Sequence, residues 1–333
     1  MNSIQLQQIF FLQIKSLVPS NISMVDDVAG LLGISNDSAY RRIRGEKALS
    51  FEEMQRLSKH YHVSLDQIMN LESGSITFFG SPVEPEHFNY ENYLKDMLLS
   101  MQAINSAKEK RLYYEAKDMP IFYYFQFSEL AAFKYFFWMK SVLSYPEYAK
   151  MQFEDHELSK ILQVTGLDII RTYNQVPSIE IWGAESINAT LSQLEYYKYA
   201  GVFKKKETIE NLYDQLESLV MHIKDQAECG EKYLIIEDPK GNTTNYQLYF
   251  NELFLGHNSI LSETDGLLTT FLNYSVLNYI STRDERFCNY TKKSFENTTK
   301  KSLLISTVSE KERSRFFNLL LNKVKGSKKE SLF

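Results

Sequence analysis

The chain has 333 residues, 44% of them hydrophobic and 24% charged, with a formal net charge of −5. That length holds two or three domains with a sizeable core, and the acidic balance excludes a nonspecific nucleic-acid coat. Two cysteines, Cys229 and Cys288, exclude a disulfide framework and a cysteine metal site. A reduced, cytoplasmic compartment is the expectation, because the first residues lack the basic segment and long apolar run of a secretory signal.

Residues 4–18 read as a helix with apolar Ile4, Ile9, Phe10, Leu12, Ile14 and Leu17. Two short helices joined by a tight turn follow, and the rest of the chain is organised around them. Ser23 is the N-cap of the first, with Asp26 three residues later, and Val28, Ala29 and Leu32 form its apolar stripe. Gly33 ends it, where a left-handed residue is cheapest without a Cβ. Ile34 is the apolar residue of the turn, and Ser35 caps the second helix, which buries Ala39 and Ile43 and stops near Gly45. This is the helix-turn-helix pattern, whose second helix enters the major groove.

At about 100° per residue, Asp37, Arg41 and Arg44 lie opposite Ala39 and Ile43, with Ser38 beside them. Tyr40 and Arg42 fall on the flanks, and Asn36 sits at the exposed N-terminal end. Together with Lys47 these residues form the candidate DNA-binding set. Arg reads guanine, Asn reads adenine and Asp accepts from cytosine, whereas flanking Arg42 is expected on phosphate. Residues 41–47 hold four basic residues and one acidic one. A solvated helix face, or a protein-contact module, is the alternative reading of the same residues.

Ser50-Phe51-Glu52-Glu53 is a capping box that opens a helix to about residue 60, and Ser64-Leu65-Asp66-Gln67 opens a short one to about residue 70. Phe51, Met54, Leu57, Tyr61, Val63, Leu65 and Ile68 are the expected core of this part. Five helices over residues 1–72 resemble the DNA-binding domain of phage repressors and Cro-type regulators, the xenobiotic-response-element family. Ala29, Gly33, Ile34, Gly45 and the closing HVSLDQIM carry the likeness. One departure is that the late apolar position of the second helix holds Arg42, with Ile43 carrying the apolar side chain, so two rotations one position apart fit. The resemblance implies action at a promoter, as activator or repressor.

Residues 73–89 read as a linker with Gly74, Gly80, Pro82 and Pro85. A larger α+β region, 90–333, follows, with a subdivision near 230 as one option. Residues 90–110 form an amphipathic helix, and 111–116 a short strand. From Ile121 to Trp138, ten of eighteen residues are aromatic. Gln126, Ser128, Glu129 and Lys134 interrupt that stretch, so it is no membrane span. It reads as a helix buried all round, against an aromatic-lined ligand pocket or a dimer helix. Residues 178–182 look like a strand, 185–200 and 208–228 like helices. Strands are then expected at 233–237, 246–255, 259–263 and 267–271, with Asp265-Gly266 as a hairpin turn. A helix at 283–299, a short strand at 303–306 and a closing helix at 309–324 complete a mainly α fold with a small sheet near the C-terminus.

Residues 300–329 carry nine Lys and Arg against Glu310 and Glu312, either a solvated helix and tail or a contact for DNA phosphate or an acidic partner. The six histidines show no metal spacing, and no phosphate-cradling loop or nucleophile elbow is present. No cofactor, metal or catalytic set is therefore expected, and the chain does not read as an enzyme. The expectation is a sequence-specific transcription regulator. It binds double-stranded DNA as a homodimer through its N-terminal domain, and its C-terminal region dimerises it or senses a small-molecule effector. A protein-interaction scaffold is the rival reading.

Overall fold

The computed structural model describes residues 3–15, 17–18, 23–61, 63, 65, 68, 76–80, 83–156, 159–241, 245–253, 256 and 258–330. The chain divides into two units, Met1–Phe79 and Gly80–Phe333.

Local capping sets the helices of the N-terminal unit: α1 (Ser3–Lys15), α2 (Met24–Leu32), α3 (Asn36–Ile43) and α4 (Phe51–Tyr61). Ser23 accepts from the Asp26 amide at the start of α2. Gly33, at φ 67°, closes α2, and the next amide, that of Ile34, bonds the Ala29 carbonyl at 3.0 Å. Ser35 accepts from the Ser38 amide and opens α3. At α4 the Glu53 amide donates to Ser50 Oγ at 3.1 Å, and the Ser50 amide donates back to Glu53 Oε2 at 3.0 Å. The expected helix 64–70 lies largely outside the described residues. Within it, Ile68 is buried against this core.

The structure supplies the inward face of α1 and corrects the placing of Phe51 in the core. The inward face of α1 is Gln7, Phe10, Phe11 and Ile14, at i, i+3, i+4 and i+7, while Ile4, Ile9 and Leu12 are exposed. Apolar side chains all round α1 left its face open, and packing against α3 chose it. Phe51 is 86% exposed, because the first position after the cap points away from the core that Leu57 and Tyr61 enter.

The C-terminal unit is built on one seven-stranded mixed sheet, in the order β6-β5-β4-β1-β2-β3-β7. The strands are β1 (Lys110–Ala116), β2 (Ser178–Trp182), β3 (Tyr246–Phe250), β4 (Ser259–Thr264), β5 (Leu267–Asn273), β6 (Tyr279–Thr282) and β7 (Leu303–Leu304). β1, β2 and β3 run parallel, and β4 pairs antiparallel with β1. The sheet is thus not a small C-terminal appendage: its central strands come from mid-chain and are joined by helical crossovers. Strands from both sides of residue 230 share it. Helix α5 (Tyr90–Ser106) precedes β1. The first crossover holds a 3-10 helix (Ile121–Gln126), α6 (Ser128–Phe137), a π turn (Trp138–Val142) and α7 (Lys160–Gln175). The second holds α8 (Asn188–Tyr199) and α9 (Lys206–Cys229), and α10 (Glu285–Lys300) and α11 (Glu310–Glu330) complete the unit.

Alternation decides which side chains meet which layer. Leu112, Tyr114 and Ala116 of β1, Trp182 of β2 and Tyr246, Leu248 and Phe250 of β3 join the main core. Ile181 enters a smaller cluster with Leu261 and with Cys288 and Phe295 of α10. The aromatic stretch is buried as expected, at Phe122, Tyr123, Tyr124, Phe133 and Phe136 among others, but as three short helical pieces rather than one helix.

The strand expected at 233–237 does not form. The Tyr233 carbonyl accepts from Gln226 Nε2 at 2.6 Å, and the Ile235 amide donates to Gln126 Oε1 at 2.8 Å. Side chains of α9 and the 3-10 helix thus hold backbone groups that a strand would have paired. β3 also ends at Phe250: residues 251–253, expected in the strand, lie beyond it, and 254–255 lie outside the described residues.

Glu180, in the middle of β2, faces the main core fully buried. Its Oε1 accepts from the Tyr123 hydroxyl at 2.9 Å and from Tyr173, and its Oε2 accepts from Trp182 Nε1 at 2.9 Å. Nearby Lys232 donates to the Tyr173 and Val176 carbonyls at 2.9 and 2.8 Å, above the Tyr173 ring. A buried carboxylate is tolerable only when so fully bonded.

Candidate nucleic-acid interface

The outward face of α3 is the candidate site. Asn36, Asp37, Tyr40, Arg41 and Arg44 are exposed there, Ser38 is half-buried, and Lys47 is exposed just beyond the helix. The face is held by residues beneath it. Gln7, buried on α1, donates to the Arg42 carbonyl at 2.7 Å and the Lys47 carbonyl at 2.8 Å, and accepts from the Leu49 amide at 3.0 Å. A single side chain therefore clamps the end of α3 and the turn after it. Gln8 adds a bond to the Arg44 carbonyl at 3.2 Å.

Arg42 does not lie where the sequence placed it. It is buried, 5% exposed, and meets Glu53 of α4 at 2.7 Å. Its Nε also reaches Glu53, and its Nη1 donates to the Ser38 carbonyl at 3.1 Å. The Arg42 hydrogen bond holds the Glu53 carboxyl below its ordinary value of 4.5, so the pair stays ionised. Three residues after Ala39, Arg42 shares the inward stripe, while Ile43 is only half-buried. Of the two rotations the sequence allowed, the structure takes the one with Arg42 inward. The guanidinium is tolerated there because the capping-box glutamate is already fixed beside it.

Four exposed residues of this face, Asn36, Tyr40, Arg41 and Arg44, have partners within the unit. Asn36 Nδ2 donates to Asp26 Oδ1 at 2.7 Å, tying the start of α3 to α2. Arg44 lies over the Tyr40 ring at 4.4 Å and donates to its hydroxyl at 3.2 Å. That hydrogen bond and the electrostatic effect of Tyr40, with a smaller one from Glu46, raise Arg44 above its ordinary value. Glu46 stands 3.7 Å from Arg44 and 4.0 Å from Arg41, so it tempers both charges. With half or more of each side chain exposed, these pairs exchange readily for a stronger anion.

Gln7 and Glu46 were not singled out from sequence, and Asp26 and Glu53 entered only as capping residues, not as partners of the α3 face. Gln7 carried a signal, since it shares the spacing of Phe10, Phe11 and Ile14. The other three are ordinary surface acids until the fold brings their partners near.

Five of the nine basic residues of the C-terminal stretch have partners within their own unit. On α11, Lys325 pairs with Glu217 at 3.2 Å, Lys328 pairs with Asp214 and Arg315 pairs with Glu252 at 2.8 Å. Lys323 donates to the Ala184 carbonyl, and Arg313 is buried on the carbonyls of Ile305 and Val308.

Among the described residues, no cluster of His, Cys, Asp and Glu could hold a metal, and no helix is long and apolar enough to cross a membrane. No family model matches the chain, and no curated protein or solved structure matches it either.

Proposed function

We propose that the N-terminal unit binds double-stranded DNA by sequence. In this reading the chain is a cytoplasmic, homodimeric transcription regulator of the phage-repressor and Cro type, with a five-helix DNA-binding domain. The observation that carries this is the α3 face: Tyr40, Arg41 and Arg44 point outward from a clamped helix, while Arg42 is withdrawn onto Glu53. A two-pronged guanidinium on a rigid helix suits guanine in the major groove. Arg41 and Arg44 take the base-reading role, and Asn36, Asp37 and Ser38 face the bases from the first turn. Lys47 takes phosphate in place of Arg42.

A single unit with so small a patch makes few phosphate contacts, and its affinity at physiological salt is low. Two copies on one molecule make the second contact intramolecular. The C-terminal unit therefore serves as the dimerising and effector-sensing part. The test is selection of bound fragments from a random DNA pool by the full chain, followed by titration of the winner at several salt concentrations. A two-part motif and affinity that falls with salt are expected. No enriched motif, or binding indifferent to salt, would leave the protein-scaffold reading in its place.

A further inference from the structure

The C-terminal unit holds an open, groove-like cavity of about 560 Å³ between the end of α6, the π turn and α8. That volume lies within the range of small-molecule sites. Phe137, Tyr196, Tyr197 and Val202 supply an aromatic and apolar wall, and Lys140, Ser141, Ser192 and Gln193 the polar groups. The π turn itself is informative, because such turns are rare and cluster at functional positions. Here the Leu143 amide bonds the Trp138 carbonyl at 2.8 Å, five residues back, and both Lys140 and Ser141 line the cavity.

Lys140 is the charged residue among those lining the cavity. Lys140 spends its hydrogens on the Tyr148, Ala149 and Met151 carbonyls at 2.6, 2.8 and 3.1 Å, which fix the ammonium without neutralising it. Behind the wall, buried Lys134 donates to Gln193 Oε1 at 2.8 Å and Thr190 Oγ1 at 2.7 Å. That bond orients the Gln193 amide and leaves its NH₂ as the donor for a ligand. Burial draws Lys134 down to about 7, with Asp118 acting the other way, so a nearby anion would favour its charged form. The residues lining the cavity include no aspartate or glutamate.

We propose that this cavity binds a small organic anion with a flat apolar body, an aromatic carboxylate being the simplest match. The carboxylate takes donors from Gln193, Ser141 and Ser192 beside the two lysines, and the ring lies against Phe137 and Tyr196. Binding stands on the cavity alone. That the anion is the effector rests on the regulator reading above.

The test titrates 2-naphthoate, and its uncharged amide, into the full chain by calorimetry. Saturable naphthoate binding, about tenfold or more tighter than the amide, is expected from the charged hydrogen bonds. Ser192→Trp fills the cavity from an exposed position, and should abolish binding without moving the melting midpoint. Ala200→Trp, also exposed and lining the cavity, is the second variant should the first disturb folding. Absence of naphthoate binding, equal affinity for the amide, or unaltered binding in a folded filled variant overturns the proposal. A parallel titration of operator DNA with and without naphthoate reads the effector role separately. A chain that takes up naphthoate but no DNA would sink the regulator reading and leave the site standing.

Discussion

The two units both bury charged side chains, and they satisfy them in different ways. In the N-terminal unit Arg42 meets Glu53, eleven residues further on, and Glu53 is already pinned by its own helix cap. In the C-terminal unit Glu180 draws the Tyr123 hydroxyl from 57 residues away, and that contact exists only once the parallel sheet is paired. The first pair orients one helix. The second cluster ties the 3-10 helix, α7 and β2 together through a single carboxylate. Two neutral phenols and an indole around one buried acid also leave no cheap way to remove it, since each donor would be stranded.

The largest effect should therefore come from Glu180→Ala, which takes the acceptor from Tyr123, Tyr173 and Trp182 together. A loss on the order of 3–5 kcal/mol is expected. Both tryptophans of the chain, Trp138 and Trp182, lie in this unit, so denaturant unfolding followed by their fluorescence reads it selectively. Parental stability in this variant would erase the contrast between the units.

Next comes the alkaline side. Burial draws Lys134 and Lys232 down to about 7 from 10.5. Between those values the unfolded chain binds more protons than the folded one, so folding stability rises with pH. A gain of roughly 2 kcal/mol for each lysine, on the order of 4 kcal/mol for the C-terminal unit, is expected from about pH 7 to about pH 9. Lys134→Met should flatten part of that rise, and an unchanged slope would remove Lys134 from the account.

The N-terminal unit should answer on the acid side instead. Glu53 is held below its ordinary 4.5, chiefly by the Arg42 hydrogen bond. Its contribution is full at neutral pH and disappears as pH falls through the lowered value. Arg42→Met should cost about 1–3 kcal/mol at neutral pH and blunt the acid loss. Melting followed by circular dichroism at neutral and acid pH measures both. If the variant melts like the parent but binds DNA less tightly at every sequence, Arg42 is a phosphate contact after all.

The smallest effect on folding belongs to Arg41→Ala and Arg44→Ala. Both residues are exposed, and stability should move by no more than about 0.5 kcal/mol. Specific DNA affinity should fall by roughly 1–3 kcal/mol for each if it reads a base. Equal losses on operator and random DNA would reassign the pair to the backbone.

How much of this was legible depended on the range of the signal. Ser23, Gly33 and Ser35 marked α2, the turn and α3, and Ser50 with Glu53 marked α4, because a cap bonds an amide two or three residues away. Asp265-Gly266 marked the β4–β5 hairpin for the same reason, and the two residues stand at φ 48° and 82°. The exposed positions of Asp37, Arg41 and Arg44 also followed from helical spacing alone.

Other features were settled only by tertiary contact. Apolar side chains all round α1 favoured no face, so the packing of Gln7 and Phe11 against α3 chose it. Arg42 turned inward because Glu53 was there to receive it, which no pattern within α3 records. β1, β2 and β3 look like isolated short strands in the sequence, and they form the centre of one sheet only by pairing across helical crossovers. Residues 233–237 have strand composition, but side chains of α9 and the 3-10 helix hold their backbone groups. Composition and spacing determine what a segment can do alone. Which face it buries, and which strand it joins, is decided by partners tens of residues away, whose hydrogen bonds and buried area exceed the local preference.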